Sequence, residues 1–144
     1  MMSNCTGGMV ILTGASSGIG LAMTKALLSN GYSVTGIARS FDAGVINSEN
    51  FEAVTLDLSE LDLLSKRLGE IISEISIPIR AVVHNAGIGK FASVEQLSVP
   101  DMKLVMETNF LSHAIVTKVF LPILKRQDTL ADICLLYTSD AADE

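Results

Sequence analysis

The stretch Thr13-Gly14-Ala15-Ser16-Ser17-Gly18-Ile19-Gly20 decides the fold, because it joins an apolar run to a helical pattern. The run before it, Met9 to Thr13, is apolar without alternation, which is typical of a strand covered on both faces. The residues after it, Gly18 to Ser29, have apolar side chains at helical spacing and end at Asn30-Gly31, a helix C-cap signal. Glycines at such a junction permit a tight turn and a close backbone approach to a phosphate at the start of a helix.

The rest of the chain repeats this alternation of strand and helix, which favours an α/β fold with a parallel sheet. We expect helices that start at Ser59, with Asp62 in a capping-box position, and near Asp101, after the helix-start signal Ser98-Val99-Pro100-Asp101. The last helix is expected to run to Leu124 with one apolar face. Further strands are expected at Tyr32–Ala38, Phe51–Leu56, Ile79–His84 and Ala131–Leu135.

Composition limits the class of protein. The 144 residues are 49% hydrophobic and 18% charged, which is enough apolar material for one folded domain and argues against disorder. The net charge of −6 argues against a nucleic-acid partner, and no run reaches the ~18 apolar residues of a membrane span. Cys5 and Cys134 have no metal-ligand spacing, so we expect no metal site. These features predict a soluble, cytoplasmic protein without a membrane partner.

Three further groups of polar residues follow strands or interrupt a helix. Asp57-Leu58 follows the third strand and Asn85-Ala86-Gly87 follows the fourth. Taken alone, Asp57 is more often a solvated acid before a helix than a ligand contact, and Asn85 is typical of a turn. Asn109 is more informative, because an amide on an otherwise apolar helix face needs buried partners.

These motifs together resemble the short-chain dehydrogenase/reductase family, whose fingerprint TGxxxGxG is matched by residues 13–20. The resemblance implies a Rossmann-like, doubly wound parallel sheet, truncated here after about the fifth strand. It also implies that Asp57 helps to hold an adenine, and that Asn109 interrupts its helix and holds a water in a proton relay as a catalytic residue. His84 replaces the first asparagine of the longer NNAG form, and His113 is expected to be packed rather than catalytic. The residues expected to bind the cofactor are Thr13, Gly14, Ser16, Ser17, Gly18, Ile19, Gly20, Arg39, Ser40, Asp57, Leu58, Asn85, Ala86 and Gly87.

The end of the second strand predicts which dinucleotide is preferred. Members of the family that prefer NAD carry an acid there, which bonds the ribose 2′-hydroxyl and repels a 2′-phosphate. Here the residues are Ile37-Ala38-Arg39-Ser40, where Arg39 can pair with a phosphate and Ser40 can add a hydroxyl. We therefore expect NADP(H) to be favoured over NAD(H); the alternative is that Arg39 only faces solvent.

The family's chemistry implies a parent oxidoreductase that moves a hydride between NADP(H) and a small-molecule carbonyl or secondary alcohol. The family uses a serine after the fifth strand and a tyrosine followed four residues later by a lysine. Tyr137 is followed by Ala141 at that spacing, so neither Tyr137 nor Ser139 fits, and we expect the chain as it stands to be inactive. The alternative is a non-catalytic NAD(P)-sensing module of the same fold. The parent is expected to be a homo-oligomer.

The last eleven residues are expected to be non-native. Residues 134–144, CLLYTSDAADE, back-translate naturally into the DNA of a transposon-based sequencing-library adapter. We therefore expect a dinucleotide-binding domain over residues 1–133, incomplete, and a non-native tail over 134–144. Such a tail is excluded from the fold argument, and the parent protein is expected to continue differently after about Ile133.

Overall fold

The computed structural model describes residues 7–136 as a parallel sheet with helices on both faces. The five strands have the order β3-β2-β1-β4-β5. The elements in chain order are β1 (Met9–Thr13), α1 (Gly18–Ser29), β2 (Ser33–Ala38), β3 (Phe51–Thr55), α2 (Leu61–Glu74), β4 (Ile79–His84), α3 (Val99–Met106), a π-helical turn (Glu107–Leu111), α4 (Ser112–Arg126) and β5 (Asp132–Leu135). The predicted Rossmann-like α/β fold is confirmed.

The strand order creates a switch point beside β1. The chain first builds outward through β2 and β3, and then crosses back to place β4 on the other side of β1. Connections that leave in opposite directions open a crevice at the carboxyl ends of the two central strands. Here those ends are Thr13 and His84, so residues 14–20 and 85–87 meet at the same edge of the sheet.

Strand β1 is buried on both faces, as its unbroken apolar sequence predicts. Met9 and Ile11 belong to the core beneath α2 and α4, while Val10 and Leu12 belong to the core beneath α1. The four side chains are at most 2% exposed. An apolar run without alternation thus corresponds to a central parallel strand.

The end of α1 is the predicted glycine cap. Gly31 has φ +80°. Its N–H donates to the Leu28 carbonyl and the N–H of Tyr32 donates to the Leu27 carbonyl, both at a distance of 3.1 Å. This pair of bonds is the Schellman motif, which requires a left-handed residue at the position of Gly31. In the first turn of α1, Ile19 is 61% exposed and lies outside the core.

The predicted start of α2 at Ser59 was wrong. The helix begins at Leu61, and its N-cap residue, Glu60, makes no side-chain hydrogen bond. Ser59 instead donates from its backbone N–H and its hydroxyl to Asp57 Oδ1, over 2.9 and 2.8 Å. The carboxylate two residues earlier competes successfully for the groups that a capping box would use. The apolar stripe of α2 was correct, since Leu64, Leu68 and Ile71 are buried.

The last long helix differs from the expected single helix over 101–124. It begins at Val99, after Ser98, whose Oγ accepts a hydrogen bond from the Asp101 N–H at 3.1 Å. The π-helical turn then inserts one residue, which rotates everything after it by about 100° around the helix axis. The single apolar face that was predicted is therefore not continuous. Val116 and Phe120, after the turn, are buried, whereas Met102, Met106 and Phe110, before and within it, are exposed. No helix within residues 7–136 is both long and apolar enough to cross a bilayer.

Candidate functional site

A cleft of about 620 Å³ lies at the carboxyl ends of β1, β2 and β4. It collects most of the residues that the sequence assigned to a cofactor: Gly14, Ser16, Ser17, Ile19, Gly20, Arg39, Ser40, Asp57, Leu58, Asn85, Ala86 and Gly87. The lining also includes residues that sequence reasoning did not select: Ile37, Ala38, Asp42, Leu56, Ser59, Ile88, Leu104 and Thr108. Thr13 and Gly18 do not line it.

The glycine loop lies directly against the segment after β4. Gly14 has φ +70°, and a Cβ there would lie 2.8 Å from Asn85 Nδ2 and 2.9 Å from Ala86 Cα. A Cβ on Gly20 would lie 1.9 Å from the Gly14 carbonyl oxygen, so any other residue at position 20 must displace the loop. Only glycine meets both the backbone angle at position 14 and the contact at position 20.

The start of α1 is suited to an anion. Ser17, the N-cap residue, makes no side-chain hydrogen bond to the first-turn N–H groups, and the first turn contains no acid. A helix N-terminus carries a partial positive charge and unsatisfied N–H donors. Because Ser16, Ser17 and Ile19 line the cleft, this end of the helix is presented to it.

Thr13 and Asn85 bind the two sides of the cleft together. Thr13 Oγ1 accepts hydrogen bonds from the N–H groups of Asn85 and Ala86, both at 3.1 Å. In return, Asn85 Nδ2 donates to the carbonyl oxygens of Thr13 and Gly14, also at 3.1 Å. Thr13 is fully buried, so it lies behind the cleft as a brace rather than in its lining. Asn85 therefore does more than form a turn, because its amide holds the glycine loop.

The end of β2 carries a free cation. Arg39 is exposed, lines the cleft together with Ser40, and makes no ion pair within 4 Å with any residue between 7 and 136. Asp42, three residues later, also lines the cleft and was missed because it lies beyond the strand end.

The Asp57 carboxylate lies at the same end of the cleft as Arg39 and carries a negative charge. The backbone N–H of Ser59 lowers its pKa most, and the Ser59 hydroxyl and the positive charge of Arg39 lower it further, against the opposing effect of partial burial. The carboxylate is therefore ionised at neutral pH, and one of its oxygens is committed to Ser59.

Asn109 lies in the π-helical turn, and its side-chain amide bonds the backbone of Ile88. Its Oδ1 accepts from the Ile88 N–H and its Nδ2 donates to the Ile88 carbonyl, both at 2.8 Å. The sequence was right that this amide needs partners and that the helix is locally interrupted. It was wrong about burial, since Asn109 is exposed. Its neighbour Thr108 lines the cleft.

Two histidines lie behind the segment 85–88. His84 is 2% exposed, and its Nε2 lies 2.9 Å from Thr117 Oγ1. His113 Nε2 donates to the Ala86 carbonyl at 2.9 Å, and the two rings are 5.0 Å apart. Burial, helped by the proximity of His113, lowers the pKa of His84 to about 4. Sequence reasoning treated both histidines as incidental. Tyr137 and Ser139, which it set aside, lie outside the described residues.

Comparison with known proteins identifies the family. The profile of the family described as short chain dehydrogenase matches residues 8–133. A probable short-chain type dehydrogenase/reductase, VdlC, of Helicobacter pylori is 34% identical over 123 residues, which are 83% of this chain and 44% of the relative. The chain thus spans less than half the length of this curated relative.

Solved structures show the same fold at lower identity. A metagenomic short-chain oxidoreductase in complex with NADP aligns with a TM-score of 0.83 and 21% identity, over 99% of this chain and 67% of that one. A 4-hydroxyisoleucine dehydrogenase complexed with NADH aligns with a TM-score of 0.73 and 21% identity, over 88% and 54%. With the family profile covering residues 8–133 and the glycine loop, the Asn85 brace and the π-helical turn all in place, this chain belongs to the short-chain dehydrogenase family.

Proposed function

We propose that the cleft binds a nicotinamide dinucleotide and that the parent protein is an oxidoreductase acting on a small carbonyl compound or secondary alcohol. The observation that carries the proposal is the braced contact between residues 13–20 and 85–87 at the switch point of the sheet. A phosphate-binding loop must approach its ligand closely and keep its shape, and this brace supplies both properties.

NADP(H) is the dinucleotide that the end of β2 favours. Arg39 has no carboxylate partner within 4 Å in residues 7–136 and lies with Ser40 on the cleft, so its guanidinium is available to a 2′-phosphate. Asp42 opposes this preference through its negative charge. The two solved relatives named above contain NADP and NADH respectively, so the family's fold accommodates either form.

Different residues of the cleft would contact different parts of the dinucleotide. The loop 14–20 and the first turn of α1 receive the pyrophosphate, Arg39 and Ser40 receive the adenosine ribose and its phosphate, and Asp57 and Leu58 border the adenine. Asn85, Ala86 and Gly87 form the opposite wall towards the nicotinamide. A bound reduced cofactor would supply a hydride to a carbonyl, and a bound oxidised cofactor would accept one from an alcohol. Asn109 fixes the backbone at Ile88 and, by family resemblance, orders water for proton transfer.

The 144-residue chain itself is proposed to bind the dinucleotide without turning over a substrate. Its sequence contains no tyrosine followed four residues later by lysine, the pair that moves the proton in this family. Residues 134–144 are proposed to be adapter-derived, and the family profile match ends at Ile133, directly before them. The parent is proposed to be cytoplasmic and homo-oligomeric, without nucleic-acid or membrane partners; exposed Met102, Met106 and Phe110 supply apolar surface for a second subunit.

A single charge in the first turn of α1 tests dinucleotide binding. Ile19→Glu places a carboxylate in the cleft, where it repels the pyrophosphate, while an acid near a helix N-terminus favours the fold. We expect NADPH affinity, measured by the enhancement of cofactor fluorescence, to fall at least roughly tenfold. Val99→Glu is the matched control, because Val99 is the first residue of α3, is 76% exposed and does not line the cleft. Equal NADPH affinity in the wild type and Ile19→Glu contradicts the proposal.

A further inference from the structure

The buried histidine pair joins α4 to the wall of the cleft. His84 ends β4, and His113 is the second residue of α4. Their rings lie 5.0 Å apart at an interplanar angle of 30°, so each ring restricts the rotation of the other. Nδ1 of each ring is buried and has no hydrogen-bond partner within residues 7–136. All the polar contact of the pair is therefore made through the two Nε2 atoms.

The partner of His113 determines where its proton is. The Ala86 oxygen is a carbonyl, which only accepts, so the proton of this 2.9 Å hydrogen bond is carried by His113 Nε2. A neutral ring then has a bare Nδ1, which costs less to bury without a partner than an N–H group does. His84 makes the equivalent contact with Thr117 Oγ1 at 2.9 Å, which fixes its ring against α4.

The Ala86 residue is held from two directions. Its N–H donates to Thr13 Oγ1 on β1, and its carbonyl accepts from His113 on α4. The described residues contain no cis peptide bond, and in a trans peptide the C=O and the following N–H point in opposite directions. Since the Ala86 carbonyl points to His113, which does not line the cleft, the N–H of Gly87 points away from α4.

That N–H has no acceptor among the described residues. No hydrogen bond to the Gly87 N–H is formed within residues 7–136, and Gly87 is exposed and lines the cleft. A Cβ at Gly87 would meet only Asn109, at 3.5 Å from its Oδ1, so the side of the residue towards the cleft is open.

We propose that His113 is a positioning residue that, by holding the Ala86 carbonyl, aims the Gly87 N–H into the cleft as a donor to an oxygen of the bound dinucleotide. The proposal rests on the proposed dinucleotide function. It assigns His113 no proton-transfer step, since within residues 7–136 its one polar contact is with a backbone oxygen. Its effect is to fix one peptide plane before the ligand binds, which lowers the entropic cost of binding.

Three variants of the 144-residue chain test the role of His113. His113→Phe keeps a ring beside His84 and removes the donor; His113→Gln restores a donor at the position of Nε2. Thr117→Val is the control, because it removes the hydrogen bond of His84 and leaves that of His113. We expect NADPH to bind roughly three- to tenfold more weakly to His113→Phe, and within about twofold of wild type to the other two. Wild-type affinity in His113→Phe, or equal losses in His113→Phe and Thr117→Val, overturns the proposal.

Two measurements on backbone amides separate this proposal from the proposed function. The Ala86 N–H keeps its bond to Thr13 in every variant, but loss of the bond to the Ala86 carbonyl is expected to ease local opening of this residue. In the absence of cofactor, hydrogen exchange at the Ala86 N–H is therefore expected to be roughly tenfold faster in His113→Phe and unchanged in Thr117→Val; unchanged exchange in both shows that His113 does not hold Ala86. In the wild type, NADPH is expected to shift the Gly87 amide resonance. A chain that binds NADPH without moving that resonance overturns the proposal, whatever the variants do. A wild type that binds neither NADPH nor NADH contradicts the proposed function, and the exchange at Ala86 still decides whether His113 positions the peptide.

Discussion

Strands β2 and β5 belong to one parallel sheet, yet their environments are opposite. All six residues of β2 are buried, including two hydroxyl residues and a glycine, whereas all four residues of β5 are exposed. β2 has a strand on each side and a core on each face, while β5 pairs only with β4 among the described residues. Ile133 and Leu135 are 41% and 57% exposed although their side chains are as apolar as those of β2. The burial of a strand is thus decided by its neighbours more than by its own sequence.

A matched pair of substitutions has the largest expected effect on this comparison. Ile37→Ala, in β2, removes a fully buried side chain and is expected to lower the free energy of unfolding by about 2–5 kcal/mol. Ile133→Ala, in β5, removes a partly exposed one and is expected to cost less than about 1 kcal/mol. Urea unfolding followed by circular dichroism measures both. Equal losses mean that β5 is covered in solution and that the difference between the strands disappears.

The pH dependence of stability tests whether β4 is dry on the side of β5. Residue His84, which pairs with Leu135 in register, is held neutral, with its pKa lowered by burial and by His113 to about 4. An unfolded histidine titrates near 6.5, so the unfolded chain binds the proton first. The contribution of His84 to stability is therefore full above pH 6.5 and is lost as the pH falls towards 4, by at most about 3 kcal/mol. Urea midpoints between pH 4 and 8 are expected to be flatter in His84→Gln. If NMR shows that the His84 ring of the folded protein titrates near pH 6.5, water reaches the ring past β5.

A substitution of Arg39 tests the role of the first residue after the buried part of β2. The strand is buried up to Ala38, and the next residue is exposed at the cleft. Arg39→Ala is expected to weaken NADPH binding by about tenfold, or about 1.4 kcal/mol, and to leave NADH binding unchanged, because only NADPH carries a 2′-phosphate. Isothermal titration measures both affinities. Equal losses for the two dinucleotides mean that Arg39 does not discriminate between them.

The ion pair between β4 and β5 has the smallest expected effect. Arg80 and Asp132 join the two strands, but the side chains are 41% and 67% exposed. Exposed pairs contribute little, so Arg80→Ala is expected to change the free energy of unfolding by less than about 1 kcal/mol. It also serves as the arginine control for Arg39, because Arg80 does not line the cleft. A loss above about 2 kcal/mol in urea unfolding indicates that this pair, and not backbone pairing, holds β5.

The regions that sequence reasoning predicted well are those in which local pattern and tertiary environment agree. β1 and the glycine loop are such regions, because an apolar run and positive-φ glycines have few alternative structures. Ser59 was misassigned because a carboxylate two residues away and a helix end compete for the same donor, and spacing alone does not rank them. The apolar face over 101–124 was extended through Asn109, where an inserted residue rotates the helix.

Sequence reasoning missed the contact behind the cleft because it joins residues that are distant in the chain. The contact between His113 and Ala86 joins residues 27 positions apart, and neither residue alone signals it. Asp42 was overlooked because the cleft extends beyond the end of β2. The assignments of Arg39 and Asn109 to a cofactor and to a proton relay remain predictions, since a fold brings residues together without stating what they bind.

The brace between Thr13 and Asn85 also has a consequence for the order of folding. It joins residues 72 positions apart, while β1, α1 and β2 are neighbours within the first 38 residues. Contacts of long sequence separation form late, because the chain must lose loop entropy before it gains their energy. During synthesis the glycine loop therefore emerges well before the strand that gives it its shape. The early βαβ unit has half of the proposed phosphate site and no opposite wall, so a dinucleotide added to the refolding chain is expected to slow unfolding far more than it accelerates folding.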